Sequence, residues 1–232
     1  GESRVDRMLS DLEAMAPGGE VKLGFQAHFP QLETKLFARG TSMDALDELL
    51  APIEAAVRER LGGYILAEGD ETLERNVLEP LQANAHNVAV AECGTFGAVA
   101  SRLVAADASG TVFKRGVLAP DLAALAQALG IVIDLEGRGI GLAAQCAEAV
   151  RTACATSHGL CVLASWGERD NEGDVYIAIS VEGQAPVLRH ACIVGRADRV
   201  RTGGVEMGLD CLRRALNGLP TGELIDFEKQ PA

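Results

Sequence analysis

From residue 88 to residue 216 the chain alternates short apolar runs with segments of helical period, and this alternation restricts the fold more than any other feature. Strands are predicted at Val88–Glu92, Thr111–Leu118, Leu160–Ser165, Asp174–Val181 and Val187–Val194. Each is a short apolar run of strand length bounded by Gly, Pro or polar residues. Helices are predicted at Thr95–Ala106, Pro120–Leu129, Gly141–Ser157 and in a final segment ending at Leu216. Strands separated by helices in this way form a layered αβα sandwich. The last two strands are joined only by Glu182-Gly183-Gln184-Ala185-Pro186, which suits an antiparallel hairpin and makes the sheet mixed.

The front of the chain reads as a smaller α+β module. Val5, Met8, Leu9, Leu12 and Met15 recur at helical spacing before the breakers Pro17-Gly18-Gly19. Val21 to Arg39 alternates around Phe29-Pro30, as two strands and a turn do. Thr41 or Ser42 can cap a long helix ending at Gly62-Gly63, in which Pro52 predicts a kink or a break. Tyr64–Ala67 reads as a short strand, and the acidic turn Glu68-Gly69-Asp70 as a boundary. The division expected is a leading helix at 1–18, the small module at 19–71 and the larger domain at 72–232.

Acidic residues outnumber Lys and Arg by 33 to 21, a formal charge of −12, so the field around the protein repels phosphate backbones and no nucleic-acid partner is expected. No apolar stretch has the length of a membrane span. The six cysteines are scattered without a Cys-x-x-Cys pair and the four histidines have no ligand spacing, so neither a disulfide framework nor a metal site is expected. Reduced thiols and the absence of an export leader predict a cytoplasmic protein. Gly at residue 1 suggests a trimmed start.

Candidate chemistry lies where Val88-Ala89-Val90-Ala91-Glu92 runs into Cys93-Gly94-Thr95-Phe96-Gly97 and then a helix. Free N–H groups and the positive end of the helix dipole can hold an anion there and lower a thiol's pKa, which makes Cys93 a candidate nucleophile. The alternative is a small buried thiol packed in a tight turn.

These stretches resemble the CinA competence/damage-inducible family, whose C-terminal domain is typically a nicotinamide mononucleotide (NMN) amidohydrolase. Ala91-Glu92-Cys93-Gly94-Thr95-Phe96-Gly97 stands in the place of the family's Ala-Glu-Ser-Cys-Thr-Gly-Gly. Phe113-Lys114-Arg115-Gly116-Val117 is similar to its aromatic-x-x-Gly-Val strand, and Gly195-Arg196-Ala197-Asp198-Arg199-Val200-Arg201 to its Gly-Asp-Arg-x-x-Val-Arg helix entry. Gly24 to Pro30, Arg60 to Ile65 and Glu71 to Glu74 resemble its middle, KH-type module. In the family a large domain resembling molybdopterin-binding proteins precedes that module, so the leading helix reads as the tail of a missing domain. The resemblance implies ligand-binding roles for Gly94, Thr95, Gly97 and Arg201; the alternative for Arg201 is a solvated arginine face with Arg196 and Arg199 that neutralises Asp198 and neighbouring acids. It implies no cofactor, and a homo-oligomer.

The departures bear directly on activity. Amide hydrolysis needs a nucleophile, a base and donors for the oxyanion. The family's Ser becomes Cys93, and its Tyr and Lys, aligned through Gly116-Val117, fall on Ala119 and Ala124. Of four lysines, only Lys114 and Lys229 follow the boundary, and Lys114 sits early on a strand. The family's Gly-rich loop is replaced by the acidic Ser165-Trp166-Gly167-Glu168-Arg169-Asp170-Asn171-Glu172-Gly173, and its Val-Ser-Glu helix start by Gly141-Leu142-Ala143. The leading expectation is a CinA-family pseudoenzyme serving interaction or assembly. An active amidohydrolase using Cys93 is the first alternative. The second is a binder of another small ligand in a remodelled pocket, for which the acidic loop Glu168 to Glu172 suggests cationic or neutral chemistry; Trp166 could stack on a base or serve as a core lid.

Overall fold

The computed structural model describes residues 2–16, 18–132, 139–166 and 171–229. It divides into two compact units, Gly1–Ile65 and Leu66–Ala232, with the division just upstream of the Glu68–Asp70 turn.

In the first unit, helix α1 (Glu2–Leu9) and a 3-10 turn (Leu12–Met15) precede the antiparallel strands β1 (Val21–His28) and β2 (Gln31–Ala38), followed by helix α2 (Met43–Leu61). Leu9, Leu12, Ala16, Val21 and Ile53 form its buried core, so the leading helix packs within this unit. Arg60 of α2 adds hydrogen bonds to the Met8 carbonyl (3.0 Å) and the Asp11 carboxylate (Nη2 to Oδ2, 3.0 Å). Ser42 caps α2 by accepting from the Ala45 N–H. Pro52 does not interrupt this helix; it is exposed, so the hydrogen bond its ring removes lies on the solvent side. Tyr64–Ala67 is not a strand: a 3-10 turn covers Gly62–Tyr64, and among the described residues no strand pairs with those after it.

The second unit begins with helix α3 (Leu73–Ala83), capped by Thr72. It continues through β3 (Val88–Cys93), α4 (Ala98–Ala106), β4 (Phe113–Ala119), α5 (Leu122–Leu129), α6 (Ile140–Ala153), β5 (His158–Trp166), β6 (Glu172–Val181), β7 (Val187–Val194) and α7 (Ala197–Leu216). The five strands form one sheet in the order β4-β3-β5-β6-β7. β3 is parallel to β4 and β5, whereas β5, β6 and β7 are mutually antiparallel, so the sheet is mixed, as the short Glu182–Pro186 link requires.

Strand periodicity assigns each side chain to a face. Val88 and Val90 of β3 join the core made with α3, α4 and α7. Ala89, Ala91 and Cys93 join the opposite core, under α5 and α6. This αβα sandwich is the architecture predicted from the alternation. Helix α4 starts at Ala98 rather than Thr95, because Gly94, Phe96 and Gly97 adopt left-handed backbone that a helix cannot incorporate. Helix α6 ends at Ala153 rather than Ser157, where Ala155 has φ +49°. The six cysteines are free thiols, four of them buried.

Candidate functional site

The turn from β3 into α4 is organised by Glu92. This side chain is fully buried, and its carboxylate accepts from Thr95 Oγ1 at 2.5 Å, Val99 N at 3.2 Å and Ala100 N at 3.1 Å. The N–H groups expected to receive an external anion therefore already serve the chain's own carboxylate, which also sits at the positive end of the α4 dipole. Thr95, expected to contact a ligand, is buried and directs its hydroxyl to Glu92.

Cys93, the next residue, points the other way. It is 7 % exposed and lies in the apolar core with Ala119, Leu125, Leu142 and Cys146. Burial, followed by the Asp121 carboxylate and the Cys146 thiol, pushes its pKa above the usual thiol value. The expectation of a lowered pKa fails for a geometric reason: one step along a strand reverses the side-chain direction, so the helix start acts on Glu92 and not on Sγ. Cys93 pairs in register with Ala119 of β4, and Ala124 of α5 packs against the same core. The positions assigned to the family's Tyr and Lys thus supply methyl groups. Lys114 is five strand positions from Ala119, roughly 16 Å along β4.

Gly94 and Gly97 shape the turn's backbone. Gly94 has φ +79°, and a Cβ there would lie 1.9 Å from the Ala164 carbonyl oxygen. Gly97, with φ +83°, precedes the first residue of α4. Between them Phe96 holds φ +56°, a conformation that costs a side-chain-bearing residue about 1–2 kcal/mol. Its ring is 63 % exposed, meets Trp166 edge to face with centroids 6.0 Å apart, and lies 5.3 Å from the guanidinium carbon of Arg201. Arg201 is thereby placed on Phe96, and it belongs to α7, which covers the sheet face opposite to that of Cys93. Arg199 donates to the Val194 carbonyl at 3.1 Å.

Sequence reasoning identified the turn but missed Phe96 as a participant. The available signal was a large aromatic where the family motif has Gly. Of the acidic loop Ser165–Gly173, residues 167–170 lie outside the described residues. A cavity of about 650 Å³ lies elsewhere, bounded by Leu129, Ile131, Gln145, Glu148, Ala149 and Thr152 between the end of α5 and the outer face of α6. Among the described residues no group of three or more His, Cys, Asp or Glu side chains is arranged to hold a metal ion, and no helix is long and apolar enough to cross a membrane.

A mixed five-stranded αβα sandwich carrying a glycine-shaped strand-to-helix turn, preceded by a small α+β unit, defines the class of protein. Residues 1–67 match the family model described as the damage-inducible protein CinA KH domain, and residues 70–216 match the CinA C-terminal domain. The chain belongs to the CinA family. It is 31 % identical over 220 residues to a CinA-like protein of Myxococcus xanthus, covering 89 % of this chain and 52 % of that one. A CinA-like protein of Frankia casuarinae is 30 % identical over 232 residues, covering 96 % and 53 %. The chain thus spans about half the length of these curated relatives. Among solved structures, the competence or damage-inducible protein from Enterobacter asburiae superposes with a TM-score of 0.56 at 18 % identity, covering 62 % of this chain and 96 % of that one. A CinA superfamily protein from Enterobacter cloacae gives 0.57 at 18 %, covering 65 % and 96 %. At that identity these likenesses establish the fold.

Proposed function

We propose that the second unit is a CinA C-terminal domain that has lost NMN deamidase activity and serves as a non-catalytic interaction or assembly module within a homo-oligomer. The observation that carries this reading is the environment of Cys93: a buried thiol with a raised pKa, in an apolar core that includes Ala119 and against which Ala124 packs. A thiol attacks as thiolate, and burial against apolar groups and a carboxylate opposes thiolate formation. The resemblance to the amidohydrolase motif supplies the ancestral chemistry, and the replaced Tyr and Lys remove its proton carriers. The test is ammonia release from NMN by the chain and by its Cys93→Ala variant. Turnover well above background that vanishes in the variant would overturn the reading in favour of a cysteine amidohydrolase.

A second reading, binding of a different small ligand, draws support from the exposed Phe96 and Trp166 rings beside Arg201. Aromatic and Arg side chains clustered at a surface are favoured contact groups. Thermal shifts across a panel of nucleotides and polyamines test it, and a flat panel rejects it for those classes.

A further inference from the structure

The sheet ends at β7, and a terminal strand offers a row of N–H and C=O groups to any extended chain. In this protein the segment 223–229 lies along that edge. Val194 N donates to the Phe227 carbonyl at 3.2 Å, Lys229 N donates to the Cys192 carbonyl at 2.8 Å, and Ile193 forms an antiparallel bridge with Glu228. Ile225 and Phe227 pack against the core shared by α3, α4 and α7. The family model ends at residue 216, so this segment lies beyond the matched domain.

Buried charges hold it in place. Arg189 of β7 pairs with the carboxylate of Glu228, which is itself buried, and donates to the Glu223 carbonyl at 2.9 Å. The other end of the segment is tied to α7, where buried Arg214 donates to Glu223 Oε2 at 2.6 Å and to the Pro220 carbonyl at 2.8 Å. Lys229 Nζ reaches Glu172 of β6 at 2.6 Å. Removing one member of a buried ion pair leaves an uncompensated charge, so these contacts specify a single position for the segment.

We infer that residues 223–229 form a strap that occupies the β7 edge in cis and withholds it from a second copy of the chain. An edge strand left bare pairs readily with its own kind, and covering it is a recurrent way to prevent that. The strap adds strand-like hydrogen bonds, apolar anchors and a charged lock to a single edge. This inference is independent of whether Cys93 reacts.

The test compares the full chain with a chain ending at Gly222 and with a full-length Glu228→Gln variant, by light scattering and by hydrogen exchange. The chain ending at Gly222 is expected to associate beyond the state of the full chain as concentration rises. A synthetic peptide of residues 223–232 is expected to reverse that association. In Glu228→Gln the Val194 and Lys229 amides are expected to exchange about ten-fold faster or more, as local opening becomes easier. An unchanged mass for the shortened chain, or association that the peptide leaves intact, overturns the inference. If the shortened chain does not fold, the exchange rates in Glu228→Gln decide alone: faster exchange at Val194 and Lys229 supports the strap, and unchanged rates overturn it.

Discussion

The guanidinium carbon of Arg201 lies 5.3 Å from the centre of the Phe96 ring, and this stacking joins the start of α7 to the turn that precedes α4. Arg201 matches the family position read as an anion ligand, and Phe96 stands at a family glycine. The arginine expected to meet a ligand thus has a partner within the chain, the exposed Phe96 ring.

The left-handed backbone at Phe96 predicts an unusual order of stability. Phe96→Ala loses the contacts with Trp166 and Arg201 but keeps the unfavourable φ, whereas Phe96→Gly loses the same contacts and relieves it. The Gly variant is expected to be more stable than the Ala variant by about 1 kcal/mol. Urea unfolding measures the difference, and an Ala variant equal to or above Gly would contradict the strained turn.

Glu92 is expected to be a structural requirement. Glu92→Ala removes the acceptor for Thr95 Oγ1 and two backbone N–H groups in a buried site, and is expected to cost about 3 kcal/mol or more. Glu92→Gln keeps one acceptor oxygen and is expected to cost less. Equal stabilities for wild type and the Ala variant would remove Glu92 from its capping role.

A pH effect follows from His158, which is 6 % exposed. Burial, and secondarily the His86 ring, lower its pKa from 6.5 to about 4. Because the folded-state pKa lies below the unfolded value, the native state resists protonation. Its contribution to stability is present above pH 6.5 and is lost as pH falls toward 4, by at most about 3 kcal/mol. His158→Gln should flatten that part of the stability curve. An NMR titration showing His158 protonated at about pH 6 in the folded protein would refute the assignment.

Alkylation distinguishes the thiols. At neutral pH the half-buried Cys154 and Cys192 are expected to react with iodoacetamide before Cys93, whose burial and raised pKa suppress its thiolate. Peptide mapping after brief labelling reads the order. Preferential modification of Cys93 would restore it as a nucleophile.

Much of the fold was legible in the sequence because its signals are periodic. The alternation of strands and helices after residue 88 and the five-residue link before β7 were sufficient for a mixed αβα sandwich. The turn at Cys93 was also legible, since a strand must end where Gly94 and Gly97 interrupt it. Its chemistry was not, because the outcome depended on which of two adjacent residues faced the helix. Glu92 took that place, and Cys93 turned into the opposite core. The C-terminal strap escaped prediction because Ile225-Asp226-Phe227-Glu228 is too short to show a period, and its meaning comes from Arg189, far away in sequence.

The close approach of Gly94 to the Ala164 carbonyl bears on what position 94 can hold. The family motif carries Cys where Gly94 stands, yet a Cβ there would fall 1.9 Å from the oxygen of the neighbouring strand. The ends of β3 and β5 approach each other too closely at this point to admit a side chain at position 94. Any replacement of Gly94 would therefore require the main chains of the two strands to part first. Main-chain contact, rather than the packing of side chains, fixes the spacing of the two strands at this joint.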